Sequence, residues 1–107
     1  MIDLYLTEKA LAKTGVSTTT LIAGSCAPKK LRIVETGGTN PFDVEFRDGT
    51  TTGRLVAHMR VPANGSDTLS AGTGEMFHFL TNITINIIAG GGLVQVYTPG
   101  NPLPTFA

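Results

Sequence analysis

Apolar and polar side chains alternate with a period of two along most of this chain, most regularly over residues 42 to 61. Phe42, Val44 and Phe46 take turns with Asp43, Glu45 and Arg47, which puts three apolar groups on one face of a strand and three charges on the other. Leu55, Ala57, Met59 and Val61 repeat the pattern against Val56, His58 and Arg60. Asp48-Gly49, three threonines and Gly53 lie between the two runs. Together they predict a β-hairpin with a long polar tip.

The rest of the chain carries shorter runs of the same kind. Over residues 2 to 13, Ile2, Leu4 and Leu6 alternate like a strand, whereas Leu4, Glu8, Leu11 and Ala12 would line a helical turn. The favoured reading is a strand or extended arm. Further strands are predicted over residues 16–23, 29–35, 67–70, 76–80, 83–88 and 93–97, with Gly and Pro clusters between them. The last two are expected to pair as a hairpin across Gly90-Gly91-Gly92, and residues 62–75 to carry the chain between sheets. Seven or eight strands at roughly ten-residue spacing with no convincing helix predict an all-β antiparallel β-sandwich, jelly-roll or immunoglobulin-like, with extended termini. Residues 1–14 are then an N-terminal arm or edge strand, 15–98 the sandwich and 99–107 a proline-rich tail. Pro99, Pro102 and Pro104 lack amide donors and fix φ, so the tail is no core strand. Its Leu103 and Phe106 gain little from standing in water; they fold back on their own domain or dock on a neighbour.

Size and composition narrow the picture. A chain of 107 residues makes one domain with a radius of gyration of about 13 Å. Hydrophobic residues reach 41% and charged residues only 15%, against about 25% in an ordinary domain. Sixteen threonines and thirteen glycines fit half-exposed strand positions and sharp turns. Such a surface loses little ionic hydration when a partner covers it. Eight basic residues balance eight acidic ones, so no long-range field draws in nucleic acid or an anionic membrane, and neither is an expected partner. No apolar run approaches the ~18 residues of a membrane span. The first nine residues lack the pattern of a signal peptide, which predicts synthesis in the cytoplasm.

Little in the chain points to catalysis. His58 and His78 are the only histidines, each between apolar neighbours with its ring directed away from the expected core, as solvated or interface residues are. A metal site made from His58, His78 and Glu75 would need adjacent strands, and no short ligand spacing supports it. Alternation assigns Asp43, Glu45 and Arg47 to an ordinary solvated face rather than a calcium loop. Cys26 is the only cysteine, which excludes an internal disulfide. Gly90-Gly91-Gly92 has no following helix or Lys-Ser/Thr to make a phosphate cradle. No cofactor, metal or catalytic residue is expected. Lys29, Lys30 and Arg32 form the one basic cluster, a surface strand start with contact to an acidic protein as a second reading.

One pattern extends over residues 16 to 98. A Thr/Ser-rich strand and short turn lead to Leu31-Arg32-Ile33-Val34. Phe46-Arg47-Asp48-Gly49-Thr50-Thr51-Thr52-Gly53-Arg54-Leu55-Val56-Ala57 follows, then Val61-Pro62-Ala63-Asn64-Gly65-Ser66. Leu80-Thr81-Asn82-Ile83-Thr84-Ile85-Asn86-Ile87 and Gly90-Gly91-Gly92-Leu93-Val94-Gln95-Val96-Tyr97 close it. The order resembles the small β-sandwich structural proteins of tailed bacteriophage virions, in which a strand ending in Asp-Gly-Thr and a small-residue loop precede Leu-hydrophobic-Ala. The resemblance implies a head decoration or cement protein: non-enzymatic, bound in many copies to the major capsid protein on the outer capsid surface, and a homotrimer matching capsid threefold positions. The proline-rich tail has no counterpart in that pattern. On this reading the N-terminal segment and tail bridge neighbours, and Leu4, Leu6, Lys29, Lys30, Leu103 and Phe106 are the candidate partner-binding residues. The alternative is a carbohydrate- or receptor-binding module of a tail or fibre, disfavoured by the lack of Trp and by only two tyrosines, Tyr5 and Tyr97.

Overall fold

Alternation is resolved into eight strands in the computed structural model, which describes residues 4–12, 17–50, 52–72 and 77–99. They are β1 (Leu4–Ala12), β2 (Ser17–Ala23), β3 (Lys30–Glu35), β4 (Phe42–Asp48), β5 (Arg54–Val61), β6 (Ser66–Ser70), β7 (Asn82–Ala89) and β8 (Gly91–Pro99). There is no helix among the described residues. One sheet has the order β1-β8-β3-β6 and the other β2-β7-β4-β5, hereafter sheets A and B. All ladders are antiparallel.

The pairing is nested. β4 pairs with β5, β3 with β6, β2 with β7 and β1 with β8, so the chain is one long hairpin folded at residues 48–54 and then rolled up. The β3–β8 and β4–β7 ladders close the roll. Two antiparallel sheets in this order form a jelly roll rather than an immunoglobulin-like sandwich.

Between the sheets lies the core that the alternation predicts. Phe42, Val44 and Phe46 of β4, Ala57, Met59 and Val61 of β5, and Ile83, Ile85 and Ile87 of β7 meet Leu31, Ile33, Val94 and Val96 from sheet A, all buried. Each fully buried large apolar side chain contributes about 1.5–3 kcal/mol.

Two expected strand features are absent among the described residues. β7 and β8 do not form a hairpin: they lie in different sheets, because β2 and β4 flank β7 while β1 and β3 flank β8. Gly90, at φ 76°, passes so close to Pro41 that an added Cβ would sit 2.1 Å from its carbonyl oxygen. Only glycine allows this crossing, so the glycine run turns the chain between sheets. Of the strand expected over residues 76–80, residues 77–80 are irregular and make one bridge, Cys26 with Phe79; residue 76 lies outside the described residues. Phe79 is nevertheless buried, since a single anchored side chain needs no ladder.

Two carboxylates fasten opposite ends of the roll. Glu35 accepts backbone N–H bonds from Gly37 (2.7 Å), Gly38 (2.7 Å) and Asn64 (2.9 Å). Asp48 accepts them from Leu80 (2.8 Å), Thr81 (2.8 Å) and Asn82 (3.4 Å). The bond from Asn64 contributes most to holding Glu35 below the usual glutamate range, and that from Leu80 does most to lower Asp48. Each carboxylate joins loops distant in sequence.

Candidate interaction surface

The outer face of sheet A begins at the corner where the described chain starts and stops. Leu4 stands opposite Pro99 in the β1–β8 ladder, and Leu6 opposite Tyr97. On the other flank of β8, Lys30 is also opposite Tyr97. Leu6, Tyr97 and Lys30 therefore form one cross-strand row. Leu6 is 46% exposed. The Lys30 ammonium lies 6.0 Å from the centre of the Tyr97 ring, at the outer limit of a cation–π contact. Lys29 instead ties the chain after β6 to this corner. Its N–H donates to Tyr97 O (2.8 Å), its carbonyl accepts from Ala71 N–H (2.9 Å), and its Nζ reaches Gly72 O (3.4 Å).

Four of the six candidate partner-binding residues thus lie at one place. Leu103 and Phe106 lie outside the described residues. Next along the face, Gln95 Nε2 donates to Glu8 Oε2 at 2.7 Å. The buried Arg32 Nε and Gln95 Oε1 have no hydrogen-bond partner. Leu93 and Val34 continue the face as half-buried apolar neighbours.

Sheet B presents another kind of surface. Asp43, Glu45 and Arg47 are not the solvated face that alternation suggests, because β4 lies between β5 and β7 and its outward side chains are covered from both sides. The Asp43 side chain is only 7% exposed. Its Oδ1 is 2.5 Å from His58 Nε2, and its Oδ2 3.4 Å from Arg60 Nη1. Arg47 grips Glu45 with two nitrogens (3.0 and 3.1 Å) and donates a third bond to Gly53 O (2.8 Å). Asn86 Nδ2 donates to Glu45 as well (2.9 Å). Arg47 first, and then Asn86, hold the Glu45 carboxyl below the usual glutamate range.

His58 is engaged with Asp43, and exposed His78 lines a shallow depression of about 310 Å³ with Cys26 and Phe79. Burial raises the Cys26 thiol's pKa, which disfavours the thiolate that a nucleophile needs. No group of three His, Cys, Asp or Glu able to hold a metal occurs among the described residues. The conceivable third ligand, Glu75, lies outside them.

Comparison with known proteins adds one likeness of shape. No protein-family model matches the chain, and no curated protein matches it. It is similar to a solved structure described as "Bacillus endospore appendages form a novel family of disulfide-linked pili", with 15% identity and a TM-score of 0.40 over 94% of this chain and 92% of that one. A likeness of that degree bears on neither partner nor role.

Two features of the surface escape sequence reasoning. Tyr97 joins Leu6 to Lys30, and its outward direction is available from the parity of β8, where Val94 and Val96 point inward. The ionic layer on sheet B has no comparable signal, because its burial depends on which strands flank β4.

Proposed function

We propose that this chain is a non-enzymatic structural protein of a tailed-bacteriophage virion, a head decoration protein bound in many copies to the major capsid protein on the outer capsid surface. The observation that carries the proposal is the corner of sheet A. There Leu4 and Pro99, the first and last described residues, are paired beside an exposed leucine, a tyrosine and a lysine. A rigid roll that presents an exposed leucine and an aromatic anchor at one spot suits attachment to a larger surface, since aromatic side chains dominate such contacts. Many weak attachments on a repetitive lattice then gain from valency. Closure into a trimer fits a capsid threefold position.

The test is binding to purified empty capsids by the full chain, by a chain ending at Pro99, and by the Tyr97→Ala variant. Both altered chains should keep the fold and lose most of their capsid occupancy. Equal occupancy of all three would remove the corner from the mechanism.

A further inference from the structure

At the end of the β1–β8 ladder opposite that corner, the sandwich opens into a cleft of about 700 Å³. Its lining includes Gly90, Gly91 and Gly92, Ala10, Thr39 and Asn40. The three glycines present backbone and no side chains. Among the described residues of the lining Glu35 is the one that ionises, and its two oxygens are already bonded to the amides of Gly37, Gly38 and Asn64. The described lining therefore offers a glycine floor beside Leu11, hydroxyl and amide groups from Thr36, Thr39 and Asn40, and no free charge.

Residues 100–107 match it in chemistry. Gly-Asn-Pro-Leu-Pro-Thr-Phe-Ala carries no charged side chain. Its prolines favour an extended polyproline conformation whose carbonyls make no internal hydrogen bonds and accept them from a partner. Phe106 supplies a large apolar group for a floor without side chains.

Reach decides whose cleft is filled. From Pro99 back to Gly91 is the full length of β8, roughly 26 Å at ~3.3 Å per residue. From Pro99 on to Phe106 the chain covers only about 22 Å at ~3.1 Å per residue, before any is spent on turning back. A copy's own cleft is thus beyond its own Phe106, whereas the cleft of a molecule placed end to end is within range.

We propose that this cleft receives residues 100–107 of a second copy of the chain, with Phe106 seated on the floor made by Gly90, Gly91 and Gly92. The contact is head-to-tail, so it closes into a ring if the rotation between copies permits and otherwise continues as a chain. It extends the decoration reading by naming what joins neighbouring copies, and its test needs no capsid.

The test is light scattering on full-length variants. Phe106→Ser removes the insert and leaves the cleft; Ala10→Arg, at an exposed β1 position, obstructs the cleft and leaves the insert. The wild-type chain should run as an oligomer and each variant alone as a monomer. An equimolar mixture should restore one contact and give a 1:1 dimer, roughly a twofold rise in mass. Thr39→Arg, on a loop outside the strands, repeats the obstruction if Ala10→Arg does not fold. A monomeric wild type, an unchanged mass for the variants, or a mixture that stays monomeric would overturn the inference. A mixture that dimerises while the wild type fails to bind capsids would uphold it and reject the decoration role.

Discussion

The two outer faces of the roll rest on one core and have the same alternating strands beneath them, yet they are finished differently. On sheet B, Asp43 and Glu45 are sunk among His58, Arg60, Arg47 and Asn86, and each carboxylate is bonded within the molecule. On sheet A, the outward row at the corner is Leu6, Tyr97 and Lys30, with half-buried Leu93 and Val34 further along and two buried polar atoms left without partners. Sheet B satisfies its own charges and would lose by surrendering them to a partner. Sheet A has less to lose. Covering an exposed leucine and a tyrosine gains hydrophobic free energy and desolvates few ions.

The largest effect should strike both faces together. Phe46→Ala empties the core beneath them and is expected to cost about 3–5 kcal/mol; chemical denaturation would measure it, and capsid occupancy should fall with the folded fraction. Asp43→Ala separates the faces: it should destabilise by about 1.5–3 kcal/mol, the range for hydrogen bonds to charged groups, while the remaining folded protein binds capsids as before. Lost capsid binding in that variant with the fold intact would bring sheet B into the interface.

Acid should act on the ionic face in a defined direction. The folded-state pKa of Glu45 is lowered from its ordinary value of 4.5, so its bonds stabilise the fold above that value, and the stability is lost as pH falls through the depressed folded pKa. Glu35 and Asp48 are lowered likewise and act in the same sense. Denaturation midpoints should therefore drop below pH 4.5 and vary less steeply there in Glu45→Gln than in the wild type. An equally steep decline in the variant would contradict the role given to the Arg47 and Asn86 contacts.

The smallest stability change is expected on sheet A. Leu6→Ser removes an exposed side chain and should move stability by no more than about 0.5 kcal/mol. Capsid occupancy should nevertheless fall well below wild type, and unchanged occupancy would take Leu6 out of the surface.

The unequal legibility of these regions has a physical reason. Strands such as β4, β5 and β7 follow from alternation alone, because burying one face requires a period of two. The hairpin at residues 42–61 is local and is readable for the same cause. What lies across from β8 is not: Gly90-Gly91-Gly92 looks like a hairpin turn, and only the three-dimensional placement of β7 and β8 in different sheets, with Gly90 pressed against Pro41, shows that the chain changes sheets there. Glu35 shares the parity of Leu31 and Ile33, a sign that it points inward, but its three amide partners come from loops with no pattern of their own. Leu4, Leu6 and Lys30 stand out separately in the sequence, as apolar or basic residues near strand starts. That Leu6 and Lys30 flank Tyr97, with Leu4 opposite Pro99, depends on the nesting of β1 and β3 about β8, which no single strand encodes.

The most direct test of the decoration role is the number of copies that co-sediment with purified empty capsids at saturation. Many copies per capsid are expected, in fixed ratio to the threefold positions, with occupancy lost when residues 100–107 are removed. Protein that remains in the supernatant while the capsids sediment bare would contradict it.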